Sequence, residues 1–477
     1  MDLKKIVLRG LGWSASVKFL SQLITWSVTI VVIRLLSPKD YGLMALAEYF
    51  IGFLMLLSEL GLGAALVQKS DLDRSILDQI FGLVILTNCC LFLLTYLGAP
   101  FAASFFKEQR LIAIIRFLSL QFLMISLSTM PQSAILRKMD FRNLSIVEFI
   151  SAITGSTITL VLALKGWGVW ALVYGCLTIS MVRTIGLNLI SPYLYTPRFS
   201  FKGLWKMISF GTYVLGDRIL WYFYSRADIL IIGKLMTREL LGFYSVGMNL
   251  ASLPMEKSSG IINQVAFPAF SSIQNDTEKS GTHFLKAVRV MSFLVFPLLW
   301  GMSSLAPEIF HNLFGKKWKE SIVPFQVIAM VIPIRMVSNL IAPTSIGLGH
   351  PEIPFYNTIL ASIVMPLVMF FCARWGILGV SLAWVIFYPL VFLCYLVRFV
   401  PVIKIGMSDV LSGMSRPMIG SLIMYGAITT IRILFDTNPA EIKYIVIIIL
   451  SGFAVFIGMM LIFNRDGCRE ILRLLGK

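Results

Sequence analysis

The chain is poor in charge, in cysteine and in histidine. Asp, Glu, Lys and Arg make up 14% of its 477 residues, against roughly 25% in a soluble domain. That scarcity excludes a water-soluble fold, because 57% of the residues are hydrophobic and the mean hydropathy is +0.84. The bilayer must therefore be part of the solvent. The six cysteines (Cys89, Cys90, Cys176, Cys372, Cys394 and Cys468) show no spacing for a disulfide framework or metal ligation. The histidines His283, His311 and His350 lie far apart. A Walker loop, a nucleophile elbow, a His-Glu-x-x-His motif and a Cys-x-x-Cys pair are all missing. The expectation is a protein that is not an enzyme and that carries no metal and no cofactor. No cleavable leader is expected, since the short basic lead-in 1–9 runs into an apolar stretch long enough for a first membrane helix.

What is present is a succession of apolar runs. With a window of about 20 residues, the length a spanning helix needs, about fourteen spans are predicted. They lie near 13–35, 42–66, 77–98, 111–131, 145–164, 167–190, 206–235, 240–267, 284–312, 320–348, 351–374, 376–400, 415–435 and 443–463. The fold class is an all-α polytopic membrane protein. Connections are short and carry turn chemistry, as in Ser37-Pro38-Lys39-Asp40, Lys165-Gly166-Trp167-Gly168 and Gly349-His350-Pro351. The formal net charge of +17 sits largely in these loops. It reads as a topology signal and as contacts to anionic membrane lipids rather than as a nucleic-acid surface. An even number of spans puts both termini on one side. The Lys and Arg excess around Lys4, Lys5, Arg9, Arg137, Lys138, Arg142, Arg198, Lys202, Lys206 and Arg465 assigns that side to the cytoplasm.

The chain also echoes itself. Arg34-Leu35-Leu36-Ser37, followed by Gly42, closes the first span, and Lys234-Leu235-Met236-Thr237, followed by Gly242, closes the seventh, an offset of 200 residues. A weaker echo pairs Gly168-Val169 with Gly379-Val380 at an offset of 211. Both imply a six-helix unit used twice in one orientation, related by a pseudo-twofold axis along the membrane normal. The expected organisation is an N-terminal six-helix lobe over 1–200, a second lobe over 201–405, and an extra helix pair with a cytoplasmic tail over 406–477. Two such lobes would enclose a central substrate cavity.

Ionisable residues inside spans are costly and therefore functional candidates. The seventh span is richest, with Asp217, Arg218, Arg226 and Asp228. On a continuous helix Asp217, Tyr224 and Asp228 share one face, with Arg218 beside it. Such a stripe either faces a cavity or forms an ion-pair network locking the helix to a neighbour. In the second span Glu48 and Glu59 also share a face; they either exchange an ion or pair with cations elsewhere. Arg116 and Arg335, beside Pro333, add cations within the membrane, and Lys18, Glu148, Arg183, Glu256 and Arg289 lie near span edges where side chains can snorkel. In-membrane cations outnumber anions, and the planar fork of arginine suits phosphate. A cavity so lined favours a phosphorylated or acidic substrate. The prolines Pro131, Pro254, Pro297, Pro333, Pro343, Pro366 and Pro389 in or near spans can hinge them.

Several landmarks resemble a known family. Ser58-Glu59-Leu60-Gly61-Leu62-Gly63-Ala64-Ala65-Leu66-Val67-Gln68 and Gly168-Val169-Trp170-Ala171-Leu172-Val173 resemble segments of the polysaccharide-transporter flippases, the Wzx-type branch that includes the colanic acid exporter. The longest match runs from Asp228 through Ile232-Gly233, Leu241-Gly242-Phe243-Tyr244 and Leu253-Pro254 to Phe267-Pro268-Ala269-Phe270, and Phe314-Gly315-Lys316-Lys317-Trp318 is similar to that family's Phe-Gly-x-Lys-Trp loop. The landmarks keep the family's order over 10–400.

The resemblance implies the fold of the multidrug/oligosaccharidyl-lipid/polysaccharide exporter superfamily in a bacterial inner membrane. It implies flipping of an undecaprenyl-pyrophosphate-linked oligosaccharide for O-antigen, capsule or exopolysaccharide synthesis, driven by a proton or sodium gradient. The glycan polymerase and chain-length machinery would then be partners. Arg218, Arg226, Arg335 and Arg116 are the substrate-binding candidates, and Asp217, Asp228, Glu59 and Glu48 the ion-coupling candidates. Of these the resemblance itself carries over only Asp228. The alternatives are a multidrug exporter of the same superfamily, a membrane glycan polymerase or ligase, and a scaffold.

Overall fold

A computed structural model of the chain describes residues 3–58, 74–192, 196–200, 216, 218–434 and 442–463. Among them all regular structure is helical, as the absence of period-2 patterning and of polar hairpin signals requires. The helices are α1 (Leu3–Leu35), α2 (Pro38–Ser58), α3 (Arg74–Phe106), α4 (Arg110–Arg137), α5 (Phe141–Leu164), α6 (Val169–Ile190), α7 (Ala227–Leu235), α8 (Arg238–Ser272), α9 (Thr277–Ser304), α10 (Ala306–Ile309), α11 (Ile322–Ser338), α12 (Ile341–Gly347), α13 (Glu352–Cys372), α14 (Gly376–Phe399), α15 (Met407–Leu434) and α16 (Ile442–Phe463). Residues 218–225 are also helical.

Eleven stretches among the described residues are long and apolar enough to cross a bilayer, and one of these, Glu352–Phe399, contains both α13 and α14. The 35-residue α8 is about 52 Å long at 1.5 Å per residue. It is not among the eleven; Glu239, Glu256 and Lys257 dilute its apolar character. The chain is a multi-pass membrane protein. It divides into two compact units, Met1–Gly242 and Phe243–Lys477.

In the N-terminal unit α5 packs on α1 and α6, α3 on α4, and α4 on α6 and α2. The entry to α2 is built by a capping box. Asp40 Oδ2 accepts from Ser37 N at 3.0 Å and from the Ser37 hydroxyl at 2.6 Å, while Asp40 N donates to Ser37 Oγ at 3.3 Å. Its other oxygen accepts from Val169 N at 3.0 Å, so one carboxylate holds the first turns of both α2 and α6. Gly168, at φ +55°, makes that approach possible: a β-carbon there would lie 2.9 Å from Asp40 Oδ1.

The 200-residue echo is structural. Thr237 caps α8 as Ser37 caps α2, with Leu240 N donating to Thr237 Oγ1 at 3.3 Å. The second echo is shifted. The positive-φ glycine that opens α14 is Gly376, at φ +69°, three residues before the Gly379 that the sequence pairs with Gly168.

In the C-terminal unit α9 packs on α11 and α15, α11 on α14, and α13 on α14. The helix pair α15 and α16 is held by Met424, Ile428, Ile448, Phe456 and Met460, with Phe293 and Leu305 packed against them.

Candidate functional site

In the N-terminal unit the described in-membrane charges converge on α2. Around Glu48 this helix is almost wholly covered: Met44, Ala45, Ala47, Tyr49 and Ile51 are buried. Glu48 itself is exposed. Glu48 thus keeps accessible surface between buried neighbours on α2. Arg226 is the cation that acts on Glu48, and Glu48 in turn acts electrostatically on Tyr41, one turn pair earlier on α2, and on Cys176 of α6.

The seventh span supplies the facing wall, and its helix is irregular at one residue, although Arg226 N still donates to the Tyr222 carbonyl at 3.0 Å and Leu230 N to the Arg226 carbonyl at 3.4 Å. At Arg226 the backbone leaves helical geometry, with φ −121° and ψ 11°. The following N–H of Ile229 is met by Asp228 Oδ1 at 2.8 Å, within the first turn of α7. Tyr224 and Asp228 are both buried, at 8% and 1% exposure, as residues on one face would be, whereas Arg218 is exposed. Asp228 acts electrostatically on Tyr49. Tyr222 ties the two walls together, its phenol donating to the Tyr49 carbonyl at 2.7 Å while its ring lies 5.8 Å from that of Tyr49. Glu48, Arg226 and Asp228 are thus brought into one constellation with Tyr49 and Tyr222. Asp217 and Glu59 lie outside the described residues.

Arg116 is placed elsewhere in the unit. Its Nε donates to the Tyr96 carbonyl at 3.3 Å and its guanidinium lies 4.6 Å from the Tyr96 ring centroid, which ties α4 to α3. Lys18 and Glu148 are 3.8 Å apart and link α1 to α5. Other cations close helix ends. Lys234 Nζ donates to the Phe105 carbonyl at 2.6 Å, and Arg238 donates to the carbonyls of Phe106 and Gly233; the last turn of α3 is satisfied by side chains in this way. Part of the cationic surplus is therefore structural.

In the C-terminal unit Arg335 is 5% exposed. Its guanidinium stacks 4.2 Å from the Trp384 ring and 5.6 Å from that of Tyr388, and its NH1 has no hydrogen-bond partner among the described residues. Trp384 Nε1 donates to Tyr244 at 3.2 Å.

Sequence reasoning missed a buried, two-pronged ion pair. Glu308, 2% exposed, accepts two bonds from Arg432: Nε to Oε1 at 3.0 Å and NH2 to Oε2 at 2.9 Å. Both residues fall within predicted spans, and their opposite charges were the available signal. Among the described residues no group of three His, Cys, Asp or Glu could hold a metal.

Comparison with known proteins shows the family and the fold. The sequence model of the family described as "Polysaccharide biosynthesis protein" matches residues 31–323. The chain is similar to the Escherichia coli (strain K12) lipopolysaccharide biosynthesis protein WzxC, 24% identical with 81% of this chain and 79% of that protein covered. It is similar to the Rhizobium meliloti (strain 1021) succinoglycan biosynthesis transport protein ExoT, also 24% identical, with 98% and 95% covered. Its fold is that of the lipid II flippase MurJ in its inward closed conformation, with a TM-score of 0.72, 17% identity, and 95% and 99% of the two chains covered.

Proposed function

The chain belongs to the polysaccharide biosynthesis protein family, and from that membership we propose that it flips a polyprenyl-pyrophosphate-linked oligosaccharide across a bacterial cytoplasmic membrane, with both termini in the cytoplasm. The observation that carries the reading is the meeting of Glu48, Arg226 and Asp228 at the irregular turn of the seventh span, inside a membrane unit. A cation that is partly accessible there binds pyrophosphate, and a carboxylate facing it exchanges a proton or sodium ion as that cation is occupied or released.

Arg226 is the first phosphate ligand in this reading. Arg218, Arg335 and Arg116 are further phosphate candidates, Arg335 once it leaves the Trp384 ring and Arg116 once it releases the Tyr96 carbonyl. Glu48 and Asp228 couple the ion, with Asp217 and Glu59 as further candidates. Two six-helix lobes, 1–200 and 201–405, carry transport, and 406–477 adds the helix pair. The relatives named for lipopolysaccharide biosynthesis and succinoglycan transport and the likeness in fold to a lipid II flippase support this reading. It contains no bond-making step, and the polymerase and chain-length machinery act after it.

The deciding experiment is the sidedness of the lipid-linked oligosaccharide in cells depleted of the protein, read with a probe confined to the outer face. Accumulation on the cytoplasmic face is expected. Normal sidedness with polymer missing would overturn the reading in favour of a later step.

A further inference from the structure

The turn between α9 and α11 lies outside the machinery just described, yet it is the most specialised backbone in the C-terminal unit. After the short α10 the chain makes one π-helical turn, Phe310–Phe314, passes through Gly315 at φ +90°, and continues as a 3-10 turn, Lys316–Ser321. π-Helical turns are rare and concentrate at functional sites. This one is packed among aromatic rings. Trp318 is fully buried with its ring 6.0 Å from that of Phe243, and Phe310 sits 5.5 Å from Phe325 and 5.2 Å from Phe314.

The turn frames a pocket of about 340 Å³ lined by Pro307, Phe310, His311, Lys316, Lys319 and Ile322, with Gly315. Its walls are largely apolar. The lining contains three basic side chains and no acidic one, and both lysines are exposed. Because it joins two successive candidate spans, Thr277–Ser304 and Lys316–Gly347, the turn sits at a membrane–water boundary.

A free anion in water has no use for apolar walls, and a hydrocarbon has no use for lysines. An amphiphile uses both. We propose that this pocket binds a lipid-borne phosphate, with the phosphate held by Lys316 and Lys319 and the first carbons of the chain lying on Phe310, Pro307 and Ile322. The assignment does not depend on the translocation reading. Two sources carry this chemistry, an anionic phospholipid of the bilayer and the polyprenyl carrier.

The test is thermal denaturation of the full-length protein in detergent, titrated separately with dioctanoyl phosphatidylglycerol, dioctanoyl phosphatidylcholine, undecaprenyl pyrophosphate and inorganic phosphate. A saturable rise in Tm is expected with phosphatidylglycerol or undecaprenyl pyrophosphate, and which of the two acts identifies the source. In the Lys316→Gln, Lys319→Gln double variant the apparent Kd should be about thirtyfold weaker, from the attraction that each interfacial lysine contributes toward an anionic lipid. Lys165→Gln, an exposed lysine at another span end, should bind as the unaltered protein does. The lysines are exposed, so the double variant should fold, and its elution as a monodisperse peak checks this. An equal shift with phosphatidylcholine or with inorganic phosphate alone, or unchanged binding by the double variant, would overturn the assignment.

Discussion

Gly42 and Gly242 occupy reciprocal positions: a β-carbon on Gly42 would strike the Arg238 carbonyl and lie 3.1 Å from Gly242 N, and one on Gly242 would strike the Pro38 carbonyl and lie 3.1 Å from Gly42 N. Each residue meets the segment 200 positions away from its own neighbours, which is the signature of an isologous contact. The first turns of α2 and α8 therefore meet backbone to backbone, and only glycine permits it.

Gly42→Ala should cost about 1–3 kcal/mol, the range for overpacking where backbone rather than a flexible side chain must yield. Gly242→Ala should cost as much. The double variant should cost less than the sum, because both substitutions separate the same pair of turns. Gly98→Ala, with nothing within 4 Å of the added carbon, is the control. Thermal unfolding in detergent measures all four; an additive double variant would break the argument for a shared contact.

Asp40→Ala removes acceptors from Ser37 N and Val169 N together. A loss of about 1–2 kcal/mol is expected, the upper part of the range for a helix cap. Asp40→Asn keeps one acceptor oxygen and should fall between. Hydrogen exchange at the first turns of α2 and α6 should rise in both places at once, and a rise confined to α2 would show that the bond to Val169 contributes nothing.

Arg432→Leu leaves Glu308 as a buried, unpaired carboxylate and should cost about 3–5 kcal/mol. Glu308→Leu with Arg432→Leu should recover most of that loss, because a well-packed apolar pair often replaces a buried ion pair without penalty. A double-mutant cycle on Tm provides the readout. Since the pair joins α15 to α10, limited proteolysis should release 406–477 from the single variant faster than from the double one.

Glu48→Gln and Arg226→Gln should each reduce oligosaccharide flipping at least tenfold, a loss of about 1.4 kcal/mol or more, while membrane insertion is unchanged. If both act through their mutual attraction, the double variant should be no worse than the more defective single one. Export at the normal rate in Glu48→Gln would remove that carboxylate from ion coupling.

Much of the architecture was legible because lipid leaves few options. Runs of about 20 apolar residues must be helices that satisfy their own backbone. The repeat was legible too, since Ser37 and Thr237 must cap, and Gly42 and Gly242 must be small, for reasons local to a few residues. The echo at Gly379 misled by three residues because a glycine inside a helix looks the same in sequence as the Gly376 that opens it.

The sequence by itself determined the class of protein, its helical spans and the list of costly charges. Tertiary structure decided what each charge faces. Arg116, Lys234 and Arg238 are spent on carbonyls at helix ends or between helices, Glu308 and Arg432 on each other, and Glu48 has Arg226 as its nearest-acting cation. Helical periodicity reports the side of a helix on which a charge sits, whereas its partner comes from another helix more than a hundred residues away, as Arg432 does for Glu308. The same holds at Arg226: regular spacing along the seventh span assumes helical dihedrals throughout, and the departure to φ −121° and ψ 11° there is a property of the folded chain that no spacing announces.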